Sequence, residues 1–134
     1  MNQELDNRLC VNYPKIFADR HKAVNHSNMG FGIECGDGWY RLIDLLCGMI
    51  QRHQLCLERN GKSEHQVVAS QVKEKFGGLR FYVSGGDDVA YAYIDFAEKM
   101  SFMICENCGS HLGAPSSDRG WMKTLCPECR EIKG

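Results

Sequence analysis

The sequence predicts an α+β protein in which a small helical and β-hairpin domain precedes a C-terminal module built on four cysteines. Three observations lead to this prediction. Apolar residues recur at helical spacing in three segments, apolar and polar residues alternate in a fourth, and two Cys-x-x-Cys pairs lie near the end of the chain. The length of 134 residues fits one small domain with an appendage. We expect residues 1–103 to form the α+β domain and residues 104–134 a zinc-ribbon-like tail packed on it.

Two of the predicted helices lie in the first half of the chain. The first is expected at about residues 2–12, where apolar residues recur every four positions before Pro14. Residues 18–38 are rich in His, Asn, Ser and Gly, which favours a long loop. The clearest apolar stripe of the sequence then predicts a helix at about 38–59, with Asp37 as its N-cap.

A hairpin and a third helix are predicted next. Alternating apolar and polar residues over 66–84 indicate two strands joined through Phe76-Gly77-Gly78. Either Asp87 or Asp88 can then cap a helix over about 87–103. Five apolar residues of this helix fall on one face: Val89, Tyr93, Phe96, Met100 and Met103.

The strongest functional motif is the cysteine pattern of the tail. Cys105-x-x-Cys108 and Cys126-x-x-Cys129 are separated by seventeen residues, which matches the spacing of zinc sites in which two tight turns hold one ion. We therefore predict one Zn²⁺ held by these four thiolates. Because four protein ligands leave no open position for water, the metal is predicted to be structural. Iron in an S4 site, or replacement of one thiolate by His111, are the alternatives.

The remaining cysteines show no ligand spacing and are interpreted as core or loop thiols: Cys10, Cys35, Cys47 and Cys56. A second metal site that uses Cys35 with His21 or His26 is the alternative.

Composition excludes some classes of protein. Sixteen Lys and Arg residues against seventeen Asp and Glu residues leave a net charge of −1, unlike the strongly basic balance of proteins that coat nucleic acid. No apolar run approaches the roughly 18 residues of a membrane helix, so no membrane partner is expected. The N-terminus lacks the apolar core of a secretory signal, and a cytoplasmic location is predicted. Thiols in a reducing compartment favour metal ligation over disulfides.

Several side chains outside the cysteine pattern are candidates for binding or catalysis. Basic and aromatic residues of the hairpin are of the type that contacts single-stranded nucleic acid, and acidic residues of the third helix can imitate phosphate charge toward a nucleic-acid channel. With the tryptophan of the tail, the candidate partner-binding residues are Lys73, Lys75, Arg80, Tyr82, Asp87, Asp88, Asp95 and Trp121. An enzyme site near Glu34, Asp37 and Arg80 is a further hypothesis.

Three segments together resemble a known group of proteins. They are Glu34-Cys-Gly-Asp-Gly-Trp-Tyr40, the run Lys73-Glu-Lys-Phe-Gly-Gly-Leu-Arg-Phe-Tyr82, and the paired cysteines of the tail with Gly120-Trp121 between them. The chain resembles small, uncharacterised phage and prophage proteins that carry this strand pair ahead of a two-knuckle zinc ribbon. The resemblance covers roughly residues 30–130, brings no established activity, and implies a gene on a mobile element.

The first functional hypothesis is a non-enzymatic, zinc-stabilised accessory protein that acts in the host cytoplasm. It is expected to bind a host protein or nucleoprotein complex, such as a defence system, and to modulate or inhibit it. The second hypothesis is a nucleic-acid-binding module that uses the basic hairpin 66–84 and the ribbon. The third is the enzyme with its site near Glu34, Asp37 and Arg80.

Overall fold

The computed structural model describes residues 1–23, 27–62, 66–118 and 120–133, and it confirms the α+β class. Within these residues the chain forms four α-helices and five β-strands. The elements in chain order are α1 (Gln3–Asn12), β1 (Ile33–Glu34), α2 (Tyr40–Arg59), β2 (Val68–Lys75), β3 (Gly78–Ser84), α3 (Asp88–Met100), β4 (Ala114–Asp118), β5 (Trp121–Leu125) and α4 (Pro127–Lys133). The strands form one sheet of order β1-β2-β3 and a separate β4-β5 hairpin.

The predicted hairpin is present as β2 and β3, which pair antiparallel from Val68 opposite Ser84 to Lys75 opposite Gly78. Its two-residue loop is Phe76-Gly77, and both residues have positive φ, 54° and 84°. A two-residue loop of this kind corresponds to a type I′ turn, whose twist matches that of the two strands.

The third strand of this sheet was not predicted, because the sequence around it reads as a loop. β1 has only two residues, Ile33 and Glu34, and pairs parallel with Val72 and Lys73 of β2. A strand this short is below the window in which alternation can be recognised. Its place is set by a tertiary contact: the buried carboxylate of Asp6 accepts a hydrogen bond from the Ile33 N–H at 3.0 Å.

The outer edge of β3 is covered by side chains from the end of α3 and the residue after it. The Leu79 N–H donates to Ser101 Oγ at 2.9 Å, and the Phe81 N–H donates to Glu98 Oε2 at 2.8 Å. These bonds satisfy edge groups that would otherwise be available to pair with another strand.

The start of α2 differs from the prediction. Asp37 is not its N-cap: residues Asp37–Trp39 form a 3-10 turn, and α2 begins at Tyr40 without a side-chain cap. The Asp37 carboxylate accepts hydrogen bonds from the Asn2 N–H at 2.7 Å and from Asn2 Nδ2 at 3.0 Å. Asn2 also caps α1, so Asp37 connects the starts of the two helices instead of closing one of them.

The third helix begins as predicted but buries a different face. Asp87 is its N-cap and accepts a hydrogen bond from the Ala90 N–H at 3.0 Å. The buried residues are Ala90, Ile94 and Ala97, whereas Phe96, on the predicted apolar face, is 67% exposed. The start of α3 is apolar at almost every position, so periodicity cannot identify which side meets the core. Alanines on the buried side let α3 approach its neighbours closely.

Apolar side chains of the described residues collect in two clusters. The larger one lies among α1, the sheet, α2 and α3 and contains the fully buried Trp39. The smaller one consists of Leu125 and three cysteines, Cys105, Cys126 and Cys129. One leucine cannot supply a hydrophobic core, so the small cluster depends on the chemistry of its sulfurs.

Candidate metal centre

The four cysteines of the tail come together at one point. The Sγ atoms of Cys105, Cys108, Cys126 and Cys129 all lie within 4.8 Å of one another. The Cys108 and Cys126 sulfurs are 3.7 Å apart, close to the edge of about 3.8 Å that follows from a tetrahedron with Zn–S bonds of about 2.3 Å. These four sulfurs can therefore hold one metal ion.

The first pair sits in a tight turn stabilised by backbone hydrogen bonds. The Gly109 N–H donates to the Cys105 carbonyl at 2.9 Å, and the Cys105 N–H donates to the Ser110 carbonyl at 2.8 Å. Gly109 has a φ of 83°, which a glycine adopts without strain. The turn thus directs the Cys105 and Cys108 side chains toward the same point.

The second pair is positioned by the β4-β5 hairpin and by α4. β5 leads directly into Cys126, and Pro127 is the first residue of α4, where its missing N–H costs nothing. The segment between the two cysteine pairs forms the β4-β5 hairpin. Arg130 joins the helix to the hairpin, because its guanidinium donates to the carbonyls of Ala114 at 2.8 Å and Leu125 at 3.0 Å.

The electrostatics of the cluster favour the thiolate of Cys105 and disfavour that of Cys108. Burial disfavours the charged form of Cys105, but N–H groups of Cys108, Cys126 and Asn107 outweigh it and lower its pKa to about 6. The Ser110 N–H favours ionisation of Cys108, yet burial and hydrogen bonding with the other sulfurs raise its pKa to about 12. Several thiolates at this spacing repel one another, so a bound dication is the natural counter-charge.

A hydrogen bond from outside the ligand set orients one sulfur. Asn107, between the first two cysteines, donates from Nδ2 to Cys129 Sγ at 3.2 Å. The cations of the tail closest in sequence to the second cysteine pair, Lys123 and Arg130, do not contact the sulfurs but have other partners. Lys123 pairs with Glu74 at 2.9 Å and Glu106 at 3.7 Å, and Arg130 holds the carbonyls described above.

The cysteine module is attached to the main core along one seam. Glu106 accepts from the Gly38 N–H through its carbonyl at 2.8 Å and from the Gly36 N–H through Oε2 at 2.9 Å. Trp39 Nε1 donates to the Ile104 carbonyl at 2.9 Å. The two glycines are needed for this approach, because a Cβ on either would overlap the Glu106 backbone. Sequence reasoning missed this role of Glu106.

The other four cysteines do not join a ligand group within the described part of the chain. Burial raises the pKa of Cys10 to about 11, that of Cys35 to about 12, and that of Cys47 well above its usual value. Cys35 and Cys47 are buried core thiols, as predicted, and Cys10 is half-buried, whereas Cys56 is exposed on α2. His21 and Cys35 form no second metal site among these residues, and His26 lies outside them.

The basic and aromatic candidates of the hairpin share one face of the sheet. Ile33, Val72 and Phe81 lie side by side and are buried, so the alternation places the next row, Glu34, Lys73 and Arg80, on the opposite face. Lys75 and Tyr82 follow the same alternation and are exposed. Trp121, at the start of β5, lines a cleft together with the tip of the β2-β3 hairpin.

The acidic candidates of α3 have different surroundings. Asp87 accepts from the Ala90 N–H and pairs with His53 Nε2 at 2.7 Å; although burial opposes ionisation, these two contacts lower its pKa. Asp95 pairs with Lys99 at 2.6 Å on the surface, and Asp88 is exposed. Only Asp88 and Asp95 therefore present their charge outward.

The residues of the enzyme hypothesis are placed on three elements: β1, β3 and the turn before α2. Glu34 and Arg80 flank Lys73 in one row across the sheet. Asp37 lies in the 3-10 turn before α2, with its carboxylate held by Asn2.

A surface that sequence reasoning missed lies between α2 and α3. It is an apolar groove of about 310 Å³ lined by Leu42, Leu45, Leu46, Met49, Ala92, Tyr93, Phe96, Ala97 and Met100. Its signal was present in the sequence as a surplus of apolar residues on both helices, more than one buried stripe requires.

Comparisons of the chain with protein-family models, with curated proteins and with solved structures find no match. A search of the described residues for a helix long and apolar enough to cross a bilayer finds none. Function is accordingly inferred from the side chains and surfaces described above.

Proposed function

We propose that this chain is a non-enzymatic binding protein, stabilised by one structural Zn²⁺, that docks on a host protein or nucleoprotein complex and modulates or inhibits it. The resemblance to phage and prophage proteins supplies the host context of this proposal. The observation that carries it is the apolar groove between α2 and α3, which no described part of the chain covers.

The groove has the composition of a protein-binding surface. Leu45 of α2 is 64% exposed and Phe96 of α3 is 67% exposed, on opposite sides of a floor formed by residues such as Leu46 and Ala97. Contiguous apolar surface is unfavourable in water and marks interaction sites on folded proteins. A channel between two helices fits the apolar face of an amphipathic helix, and we propose such a helix as the partner's contribution.

Charge at the rim supports a specific orientation of that partner. Arg41 and Arg52 are exposed on α2 on either side of Leu45, whereas Asp88 and Asp95 are exposed on α3. Because Asp95 is paired with Lys99, the charge difference between the two sides rests on Arg41 and Arg52 against Asp88. A partner helix with acidic residues facing α2 and basic residues facing α3 would fit this pattern, because like charges placed together are strongly disfavoured.

Zinc is proposed as the metal because of the donor set. Four thiolates at tetrahedral spacing favour zinc or iron, and the paired turns are those of structural zinc modules. With all four positions taken by protein, the ion has no place for a substrate. Elemental analysis is expected to give one zinc per chain, and one iron with visible charge-transfer absorption would reassign the site.

The binding proposal is tested by affinity capture of the tagged full chain from host lysate with and without nuclease treatment. A stoichiometric protein partner is expected. Phe96→Ser and Leu45→Ser should each reduce its recovery at least tenfold, because they place a hydroxyl in the apolar contact. Val11→Ser is the matched control, since Val11 is an exposed apolar residue of α1 away from the groove.

Two results would contradict the proposal. One is equal recovery of the partner by the groove variants and by the control. The other is recovery of nucleic acid alone, which disappears on nuclease treatment.

A further inference from the structure

We propose that the cleft between the tips of the two hairpins binds single-stranded nucleic acid. A base would stack on Phe76 and Trp121, and cations of the β2-β3 hairpin would contact the backbone phosphates. The site is separate from the groove between α2 and α3.

The cleft is formed where the two turns meet. It has a volume of about 320 Å³ and is lined by Glu74, Lys75, Phe76, Gly120, Trp121 and Met122. Phe76 is 70% exposed and Trp121 is 74% exposed, so both side chains are largely open to solvent. Exposed aromatic rings are the usual platform for unpaired bases, since every base has a π-face.

Direct bonds hold β5 against the end of the β2-β3 hairpin. Thr124 Oγ1 donates to the Gly77 carbonyl at 2.6 Å, and Lys123 bridges to Glu74 at 2.9 Å. Thr124 is fully buried at this contact. Burial disfavours the charged form of Glu74, but the Gly77 N–H and Lys123 outweigh it and lower its pKa. The carboxylate is thus ionised and paired with Lys123, which also lies 3.7 Å from Glu106.

The backbone of Phe76 is the second observation that points to a ligand. Its φ of 54° lies in the left-handed region, which is unfavourable for a bulky side chain, and the type I′ turn favours asparagine at this position. The ring gains no burial in return, because it is exposed. Phe76 therefore weakens the turn without packing in the core. A contact between its ring and another molecule explains why this residue is present.

Charge on the adjacent sheet face favours nucleic acid over a protein segment. Lys73, Lys75 and Arg80 lie on one face of the hairpin that ends in this cleft, and Lys75 Nζ is 5.5 Å from the centre of the Phe76 ring. Tyr82 is exposed on the same face, beyond Arg80. Lysines are depleted from the centres of protein interfaces, whereas cations beside stacking rings are characteristic of single-strand binding.

The test uses the zinc-loaded full chain and fluorescently labelled 12-mers of dT and rU, followed by anisotropy. Binding is expected for both, and for a 12-bp duplex only weakly. With three cations near the strand, the slope of log affinity against log salt is expected to be about −2. Trp121 emission should be quenched on binding, whereas the signal of the buried Trp39 should not change.

Three variants and one control make the test specific. Phe76→Asn and Trp121→Ala should each weaken binding about tenfold, and Lys75→Gln should reduce the salt slope by about 0.7. Phe76→Asn is expected to melt no lower than the parent, because asparagine suits the turn, so its loss of binding cannot come from misfolding. Phe96→Ala removes an equally exposed ring from the groove and should leave oligonucleotide binding unchanged.

Several outcomes would overturn the proposal. They are no binding at low salt, equal affinity for single strand and duplex, or unchanged affinity in both aromatic variants. Another is a result in which the parent binds no oligonucleotide and Phe76→Asn loses the captured protein partner. That result would identify the cleft as a protein-binding surface. Because the groove variants test the first proposal at a different surface, failure of one proposal is distinguishable from failure of the other.

Discussion

Gly38→Ala is the change that best tests how the cysteine module is attached to the core. A Cβ at this position would lie 2.6 Å from the carbonyl carbon of Glu106 and would overlap the Cys105 carbonyl oxygen. Ordinary contact begins at about 3.4 Å, so the two backbones must separate by about 1 Å. Both are backbone atoms of tight turns, which cannot move aside as a flexible side chain can.

The cost follows from the hydrogen bonds that cross the seam. Separation by about 1 Å lengthens the 2.8 Å bond from the Gly38 N–H to the Glu106 carbonyl beyond bonding range, and the bonds at Gly36 and Trp39 weaken with it. Neutral bonds contribute about 1 kcal/mol each and one to a carboxylate about 1.5–3 kcal/mol. We expect the free energy of unfolding to fall by about 2–4 kcal/mol.

The assay is denaturant unfolding of the zinc-loaded chain with a thiol reductant, with metal content measured on the same samples. One metal per chain should remain, because the overlap is with backbone atoms of Cys105 and Glu106 and not with any of the four ligand sulfurs. Gly48→Ala is the matched control. Gly48 lies within α2, and its new Cβ would meet only Tyr13 Oη at 3.4 Å, so this variant should gain up to about 1 kcal/mol. Equal stability of Gly38→Ala and the parent would refute the reasoning.

Two further predictions concern the metal and a buried ion pair. Cys105→Ser and Cys129→Ser should each lower bound metal to zero and unfold the tail, whereas Cys47→Ser should keep one equivalent; equal loss in all three would contradict the assignment. Asp6→Asn should cost about 3 kcal/mol at pH 7, because it leaves the largely buried Arg20, 2.8 Å from Asp6, without its counter-charge. Burial opposes ionisation of Asp6, but its bonds to Arg20 and the Ile33 N–H lower its pKa. Its contribution to the free energy of unfolding is therefore present above about pH 4 and is lost as pH falls through the folded pKa. Unfolding at pH 7 and at pH 3 should therefore show a difference between parent and variant that shrinks in acid.

Elements with local causes were predictable from the sequence. The hairpin was predicted because its turn requires the Gly77 that the sequence supplies, and α3 because Asp87 can cap it. The cysteine cluster was predicted because two residues between cysteines bring both sulfurs to one ion. Each of these depends on residues within a few positions of one another.

Features set by distant residues were not predictable. The prediction that Asp37 caps α2 was wrong, because its carboxylate accepts hydrogen bonds from Asn2, thirty-five positions away. The orientation of α3 depends on which side packs against the sheet. Because α3 is apolar over most of its circumference, its sequence alone does not identify that side. Phe96 was assigned to the predicted apolar face for that reason, and its exposure is the finding that leads to the proposed binding groove. Glu106 had no recognisable signal, because its partners lie 68 to 70 positions earlier.

The seam at Trp39 also bears on how the protein is made. Its partner, Ile104, follows 65 residues later in the chain, and the second cysteine pair emerges later still during synthesis. The core can therefore collapse on the nascent chain while the Trp39 indole N–H still has only water as its partner. Docking of the tail and binding of its metal then follow collapse of the core.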